Sequence, residues 1–287
     1  MLAHLGEVGP MDIKDILLFL RPGEPFAPVL SAAASLAKAH GAFVQGCCLM
    51  PEPPLDPADC YAIGPKAAGG VLLEIDRAAE AISAPAEAAF RQAILDKGIA
   101  GDWALSVLGE PAAATILRAR TADIAIMRRP SRGHGGELAE ILLMSGGAPC
   151  LFVPDAAPEP GRFDRIVLAW NGSRQSKRAL DEGLTLMKSA SAVQVVSVGA
   201  TAWAASACGP DAVLTHLGRH GVKAEAKRAP ASSSGDVADA LIAACDAFGA
   251  DLLVMGAYGH ARAAEAVLGG ATRALLSRGR APVLMSR

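Results

Sequence analysis

The chain has 287 residues, enough for two domains of the ordinary size of about 150. Hydrophobic residues make up 52% and charged residues 20%, a balance that builds a sizeable core and excludes a disordered polypeptide. The 27 basic and 29 acidic side chains nearly cancel, which excludes a net field that would draw in nucleic acid or an anionic membrane, and charges interrupt every apolar stretch before the ~18 residues of a bilayer span.

The segment 1–10 carries Glu7 and lacks both a basic start and a continuous apolar core, so it does not read as a secretory signal and a cytoplasmic protein is expected; Met11 offers an alternative start. From there the pattern alternates. An apolar run Ile13 to Leu20 reads as a strand, Arg21-Pro22-Gly23 as a turn, and the alanine-rich stretch to His40 as a helix. Ala42 to Leu49 is a second strand, and Pro51 to Pro57 must be loop, because proline has no amide hydrogen to give a sheet or helix. A helix is expected from about Leu72 to Lys97, a strand over Trp103 to Leu108, a helix over Ala112 to Arg120, and strands over Ile124 to Met127 and Pro149 to Val153. Gly133 to Gly136 reads as a flexible turn, the alternative being an anion site of another kind with Arg128, Arg129 and Arg132 nearby.

The same grammar then starts again. Ile166 to Trp170 is a strand and Asn171-Gly172-Ser173 a turn able to cap a helix from Ser176 to Lys188. A strand over Ala192 to Val198, a helix from Asp211 to His220 closed by Gly221, a strand over Lys223 to Arg228 and a helix from Asp236 to Phe248 closed by Gly249 follow. Asp251-Leu252-Leu253-Val254-Met255 mirrors Asp123-Ile124-Ala125-Ile126-Met127, and each half ends on an Ala-Pro that opens a short apolar strand, Ala148-Pro149 and Ala281-Pro282. Self-similarity at half the chain length, with the proline-rich stretch Pro154 to Gly161 between the copies, predicts two tandem domains, 11–154 and 162–287. Alternating strands and helices predict that each is a doubly wound, Rossmann-like α/β domain with an open parallel sheet.

In such sheets ligands collect at the carboxyl ends of the strands. After Met255 come Gly256-Ala257-Tyr258-Gly259, nine further residues, then Gly269-Gly270-Ala271-Thr272 and a helix to about Ser277. Glycines let backbone amides approach an anion, and a helix N-terminus adds unpaired N–H groups and a favourable dipole, so this order predicts a phosphate cradle. His260, Arg262 and Arg273 lie close enough in sequence to meet a phosphate or to be solvated surface. Thr272 is either a substitute hydroxyl or a packing residue, since two helical residues are about 200° apart.

The order strand, G-x-x-G, nine residues, glycine, helix, Ala-Pro, strand resembles the universal stress protein family, as does the opening strand Ile166 to Trp170 with its Asn171-Gly172-Ser173 turn. That resemblance covers both halves in grammar and is specific over about Asp251 to Ser286. It implies an adenine nucleotide, ATP or AMP, held by the C-terminal domain, with Trp170, Asn171 and the backbone of Val198 around the nucleoside and Gly256, Gly259, His260, Gly269, Gly270 and Thr272 around the phosphates. Two positions depart from the family pattern: Asn171 stands where an acidic residue is usual, and Gly270 stands where a phosphate-binding Ser or Thr is usual. The resemblance also implies that the two domains pair through their last strands as a pseudo-dimer; two chains can pair further.

In the first half the equivalents of Gly256 and Gly259 are Arg128 and Ser131, and the stretch to the Ala-Pro is five residues shorter, so no nucleotide is expected there. With no Walker lysine and no convincing Ser-His-Asp order, no catalytic residue and no metal ligand is assigned. The cysteines are scattered without metal-ligand spacing and read as reduced. The reading is therefore a stress-response sensor or scaffold with at most weak ATPase activity. The alternatives are a partner-binding pseudo-dimer without nucleotide, and a slow nucleotide hydrolase or an electron-transfer-flavoprotein-like adenine binder.

Overall fold

The structure, a computed structural model, describes residues 12–49, 65–106, 111–130, 136–156, 163–199, 208–230, 234–257 and 270–287. Two compact units divide the chain, Asp15–Arg162 and one that begins at Phe163 and runs to Arg287.

The first unit runs β1 (Asp15–Leu20), α1 (Ala27–His40), β2 (Phe43–Leu49), α2 (Pro65–Lys97), β3 (Gly101–Ser106), α3 (Pro111–Ala119), β4 (Ile124–Arg128), α4 (Gly136–Ile141) with a π-helical turn Leu142–Gly146, and β5 (Cys150–Val153). Its strands are all parallel, in the order β3-β2-β1-β4-β5. The second runs β6 (Arg165–Ala169), α5 (Arg174–Ser189), β7 (Ala192–Val198), α6 (Pro210–Arg219), β8 (Ala224–Ala229), α7 (Ser234–Phe248), β9 (Leu252–Gly256), α8 (Gly270–Arg278) and β10 (Val283–Ser286). Its order, β10-β9-β6-β7-β8, is the same permutation of an all-parallel sheet. The doubly wound α/β fold read from the pattern is therefore present twice.

Helices cover the sheet faces, so the central strands must be apolar on both sides, and they are: Ile124, Ala125, Ile126 and Met127 of β4 and Leu252, Leu253, Val254 and Met255 of β9 are all buried. Register makes the repeat physical. Phe19 pairs with Met127 as Ala169 pairs with Met255. One residue before each strand, the repeated aspartate ties its neighbour down: Asp123 Oδ2 accepts from the Asp15 amide at 2.9 Å, and Asp251 accepts from the amides of Asp164 at 2.8 Å and Arg165 at 3.0 Å. The shared Asp thus anchors the amino ends of the two central strands in both units.

Two elements depart from the reading of the sequence. The helix α2 begins at Pro65 rather than Leu72 and passes through Pro85, because Ala79, Ser83, Ala86 and Phe90 form a buried stripe at helical spacing whose packing outweighs one lost backbone bond. Gly136, read as part of a flexible turn, instead opens α4; its apolar residues Ala139, Leu142 and Leu143 are buried, and the run is too short for periodicity to reveal. The rest of that turn, 131–135, lies outside the described residues.

Of the described cysteines, Cys47, Cys48, Cys150 and Cys245 are buried and Cys208 is exposed. Burial pushes the thiol of Cys47 up to about 11 and those of Cys48 and Cys245 up to about 12, so these stay protonated and behave as small apolar side chains. No helix among the described residues is long and apolar enough to cross a membrane.

Candidate functional site

In the second unit the chain leaves β6 toward β7 on one side and returns to β9 on the other. The crevice above the carboxyl ends of β6 and β9 is the topological switch point, where open α/β sheets place ligands. Three pieces of backbone meet there.

The first is the turn after β6. Asn171 is exposed, and its Oδ1 accepts from the Ser173 amide at 3.1 Å, closing an Asx turn. Ser173 is the N-cap of α5: its Oγ accepts from the Ser176 amide at 3.1 Å, and Ser176 Oγ donates to the Ser173 carbonyl at 2.8 Å. With its oxygen engaged in the turn, Asn171 keeps its –NH2 as a donor where a carboxylate would accept.

The second is the end of β7. The ladder between β6 and β7 closes at Ala169 and Val196, with the Trp170 amide donating to the Val196 carbonyl at 2.9 Å. Backbone groups alternate sides along a strand, so Val198 faces the β6 side as Val196 does, two residues past the ladder's end. Gly199 turns to the opposite side and donates to the Ala229 carbonyl. Among the described residues no backbone bond from β6 reaches Val198, so its peptide edge is directed at the crevice.

The third is the end of β9. Gly256 lies against the first turn of α5, so closely that a Cβ there would sit 2.5 Å from the Gln175 carbonyl carbon and 2.6 Å from the Ser176 nitrogen. The glycine is needed for helix-on-strand packing irrespective of any phosphate. Ser286, which pairs with Gly256, is buried, and its carbonyl accepts from the Ala257 amide at 2.7 Å.

The expected residues distribute as follows. Trp170, Asn171, Val198 and Gly256 come to the carboxyl ends of β6, β7 and β9. The Trp170 indole is buried and its Nε1 donates to the Cys208 carbonyl at 2.9 Å, so it fastens the start of the segment leading to α6. Gly270 is the first residue of α8; Thr272 is a buried residue of its first turn, and Arg273 is exposed. Gly259, His260, Arg262 and Gly269 lie outside the described residues. The sequence pattern missed Gln175 and Ser176, whose backbone imposes the glycine at 256, and the Cys208 carbonyl; a glycine directly after an apolar strand that precedes a helix was the available signal. Among the described residues, no group of three or more metal-ligating side chains converges.

The first unit differs at its own switch point, between β1 and β4. Arg128 occupies the register position of Gly256, and its guanidinium forms two charge-assisted bonds of 2.6 Å to the Asp155 carboxylate, with Glu24 at 3.8 Å. Arg128 at the end of β4, Glu24 beyond β1 and Asp155 beyond β5 thus fill the position with an ion cluster. The hydrogen bonds from Arg128 hold the Asp155 carboxyl below the usual range. A carboxylate of depressed pKa stabilises the fold above its unfolded value near 3.9, and the benefit disappears as pH falls through the lower folded value. Because Asp155 is half exposed, Asp155→Asn should cost no more than about 1 kcal/mol. The difference in thermal midpoint between variant and parent should be constant from pH 6 to 8 and vanish well below pH 3.9.

The comparisons agree with this geometry. Residues 162–287 match the universal stress protein family. A universal stress protein from Archaeoglobus fulgidus has a similar fold over nearly the whole chain: TM-score 0.65, 17% identity, covering 94% of this chain and 96% of that one. A chain from Pseudomonas aeruginosa, provisionally assigned to the universal stress proteins, superposes at TM-score 0.62 with 13% identity over 96% of this chain and 93% of its own. No curated protein matches the sequence. The family match thus assigns residues 162–287 to the universal stress protein family, and the first unit repeats the same permuted sheet.

Proposed function

We propose that the second unit binds an adenine nucleotide, ATP or AMP, in the crevice above β6 and β9, and that the protein acts as a stress-response sensor or scaffold with little or no turnover. The observation that carries this reading is the open peptide edge of Val198 beyond the β6 ladder, an N–H and a C=O side by side where an adenine edge can pair. The capped N-terminus of α5 and the start of α8 supply a favourable dipole for phosphates at the same end of the sheet. In the first unit, Arg128 and its carboxylate partners occupy the corresponding position, which argues for one nucleotide per chain.

Calorimetric titration of the full chain with ATP and with AMP should give one site per chain with a Kd of roughly 1–100 μM. Asn171→Asp, which adds a free carboxylate oxygen beside the one held in the Asx turn, should tighten ATP about tenfold by accepting a ribose hydroxyl. The Asn171 amide and Gly270 favour a second reading, a partner-binding protein without nucleotide. Absence of binding by both nucleotides at millimolar concentration would establish that reading and overturn the first.

A further inference from the structure

Helix α6 carries His216 in its last turn and is followed at its C-cap by His220, four residues on, which brings two imidazoles together at the helix end. Their ring centroids are 4.7 Å apart and the planes lie at 65°. An imidazole binds zinc at about 2.0–2.1 Å, which puts the metal about 3.2 Å from the ring centre, so two rings at neighbouring positions of a tetrahedral or square-planar shell stand about 4.5–5.2 Å apart. The pair already has that separation. His216 Nε2 is sealed from solvent with no hydrogen-bond partner among the described residues, whereas His220 is exposed. A buried imidazole nitrogen without a partner carries a desolvation cost, and in the Nδ1–H tautomer it offers a lone pair that a metal can take.

We propose that His216 and His220 form a two-histidine site for an imidazole-preferring divalent transition metal, with copper(II) above nickel(II) and zinc(II) in affinity and water completing the shell. Binding requires both rings to turn one nitrogen to a common point while keeping their 4.7 Å separation. The charged groups facing His216 are Lys177 and Asp181 on α5 and Arg219 on its own helix. Burial first, then the charges of His220 and Lys177, holds the His216 imidazole below its ordinary range, which leaves it neutral and able to ligate at pH 7. Asp181, itself paired to Lys177, supplies the negative charge on that side.

Nickel(II) chloride is the suitable probe, because the exposed Cys208 thiol would reduce copper(II). Titration of the full chain at pH 7.5 should show a site that weakens at least about tenfold in both His220→Ala and His216→Gln, since one monodentate imidazole cannot chelate. Nickel should also raise the thermal midpoint of the parent chain and not that of His220→Ala, whose exposed side chain leaves the fold intact. Binding in the parent should fall as pH drops below 6, as protons displace the metal. Identical isotherms for parent and His220→Ala, or a loss on His220→Ala that His216→Gln does not reproduce, would overturn the chelate.

Discussion

Replacing Gly256 with valine should destabilise the protein by more than 3 kcal/mol, lowering the thermal midpoint by several degrees or abolishing soluble expression. The added Cβ would stand 2.5 Å from the Gln175 carbonyl carbon, 2.6 Å from the Ser176 nitrogen and 2.7 Å from Gln175 Cβ. Two of those atoms are main chain in the first turn of α5, so relief requires lifting the helix off β9 and β10, on which it packs. Such a shift would strip contacts from Val254, Leu184 and Met187 in the buried layer. Alanine at 256 meets the same atoms with one carbon and should cost about 1–3 kcal/mol. Gly183→Ala provides the contrast: its Cβ would meet Val254 Cγ1 at 3.0 Å, a side-chain methyl that can yield. The roughly 1 kcal/mol that alanine gains over glycine within a helix should offset most of that strain. Thermal unfolding of the full chain would separate the cases, and a Gly256→Val protein as stable as its parent would refute the close approach of strand and helix.

Removing the Asp251 carboxylate should be the next largest effect, about 2–3 kcal/mol for Asp251→Ala. Three hydrogen bonds tie its two oxygens to the amides of Asp164 and Arg165 at 2.8–3.1 Å, and its own amide donates to the Arg165 carbonyl at 3.0 Å. Without the side chain, the partly buried Asp164 N–H and the more exposed Arg165 N–H at the start of the central strand lose their acceptor. Burial raises the Asp251 carboxyl above the usual aspartate range while those amide donors pull it down, so the charge itself is expensive and the acceptor geometry is what stabilises. Asp251→Asn, which keeps one acceptor oxygen, should therefore recover about half the loss. Urea denaturation of both variants against the parent would measure this; equal losses would mean that charge rather than geometry is at stake. In the first unit Asp123 holds the Asp15 amide in the same way, at 2.9 Å.

These two positions mark what kinds of information the chain carries locally. Asp123 and Asp251 were visible as a repeat because each heads an apolar strand run, and a run of residues buried on both faces is written in hydrophobicity alone. Their hydrogen bonds were not visible, since the partner amides lie 108 residues away for Asp123 and up to 87 for Asp251. Helix ends were equally readable where chemistry is local: Ser173 caps α5 within three residues, and Gly221 and Gly249 close α6 and α7 with positive φ. Pro85 misled in neither direction only because its helix is held by a buried stripe that a local rule ignores.

The candidate site was legible in outline and not in its assignments. Glycine after a strand signals that something approaches the backbone, but the same signal serves a phosphate or a helix, and at Gly256 the helix α5 makes that approach. Trp170 was placed at the crevice by its position after β6, yet only the fold reveals that its indole is spent on the Cys208 carbonyl. Asn171 was read as an exchange of charge for amide; the Asx turn adds that its oxygen is already engaged, so the exchange removes an acceptor rather than merely a charge.

By itself, then, the sequence determined the number of domains, the alternation of strands and helices, the two aspartate-headed strands and the loss of the glycine pattern in the first half, because period, capping and composition act over a few residues. Tertiary structure decided the strand order that creates the switch point, the ladder end that leaves the Val198 edge open, the ion cluster of Arg128, Asp155 and Glu24, and the pairing of His216 with His220 beside Lys177 and Asp181. Those depend on which residues distant in the chain share one end of a sheet or one helix face, and packing sets that, since each strand buries its apolar faces only in one order and register.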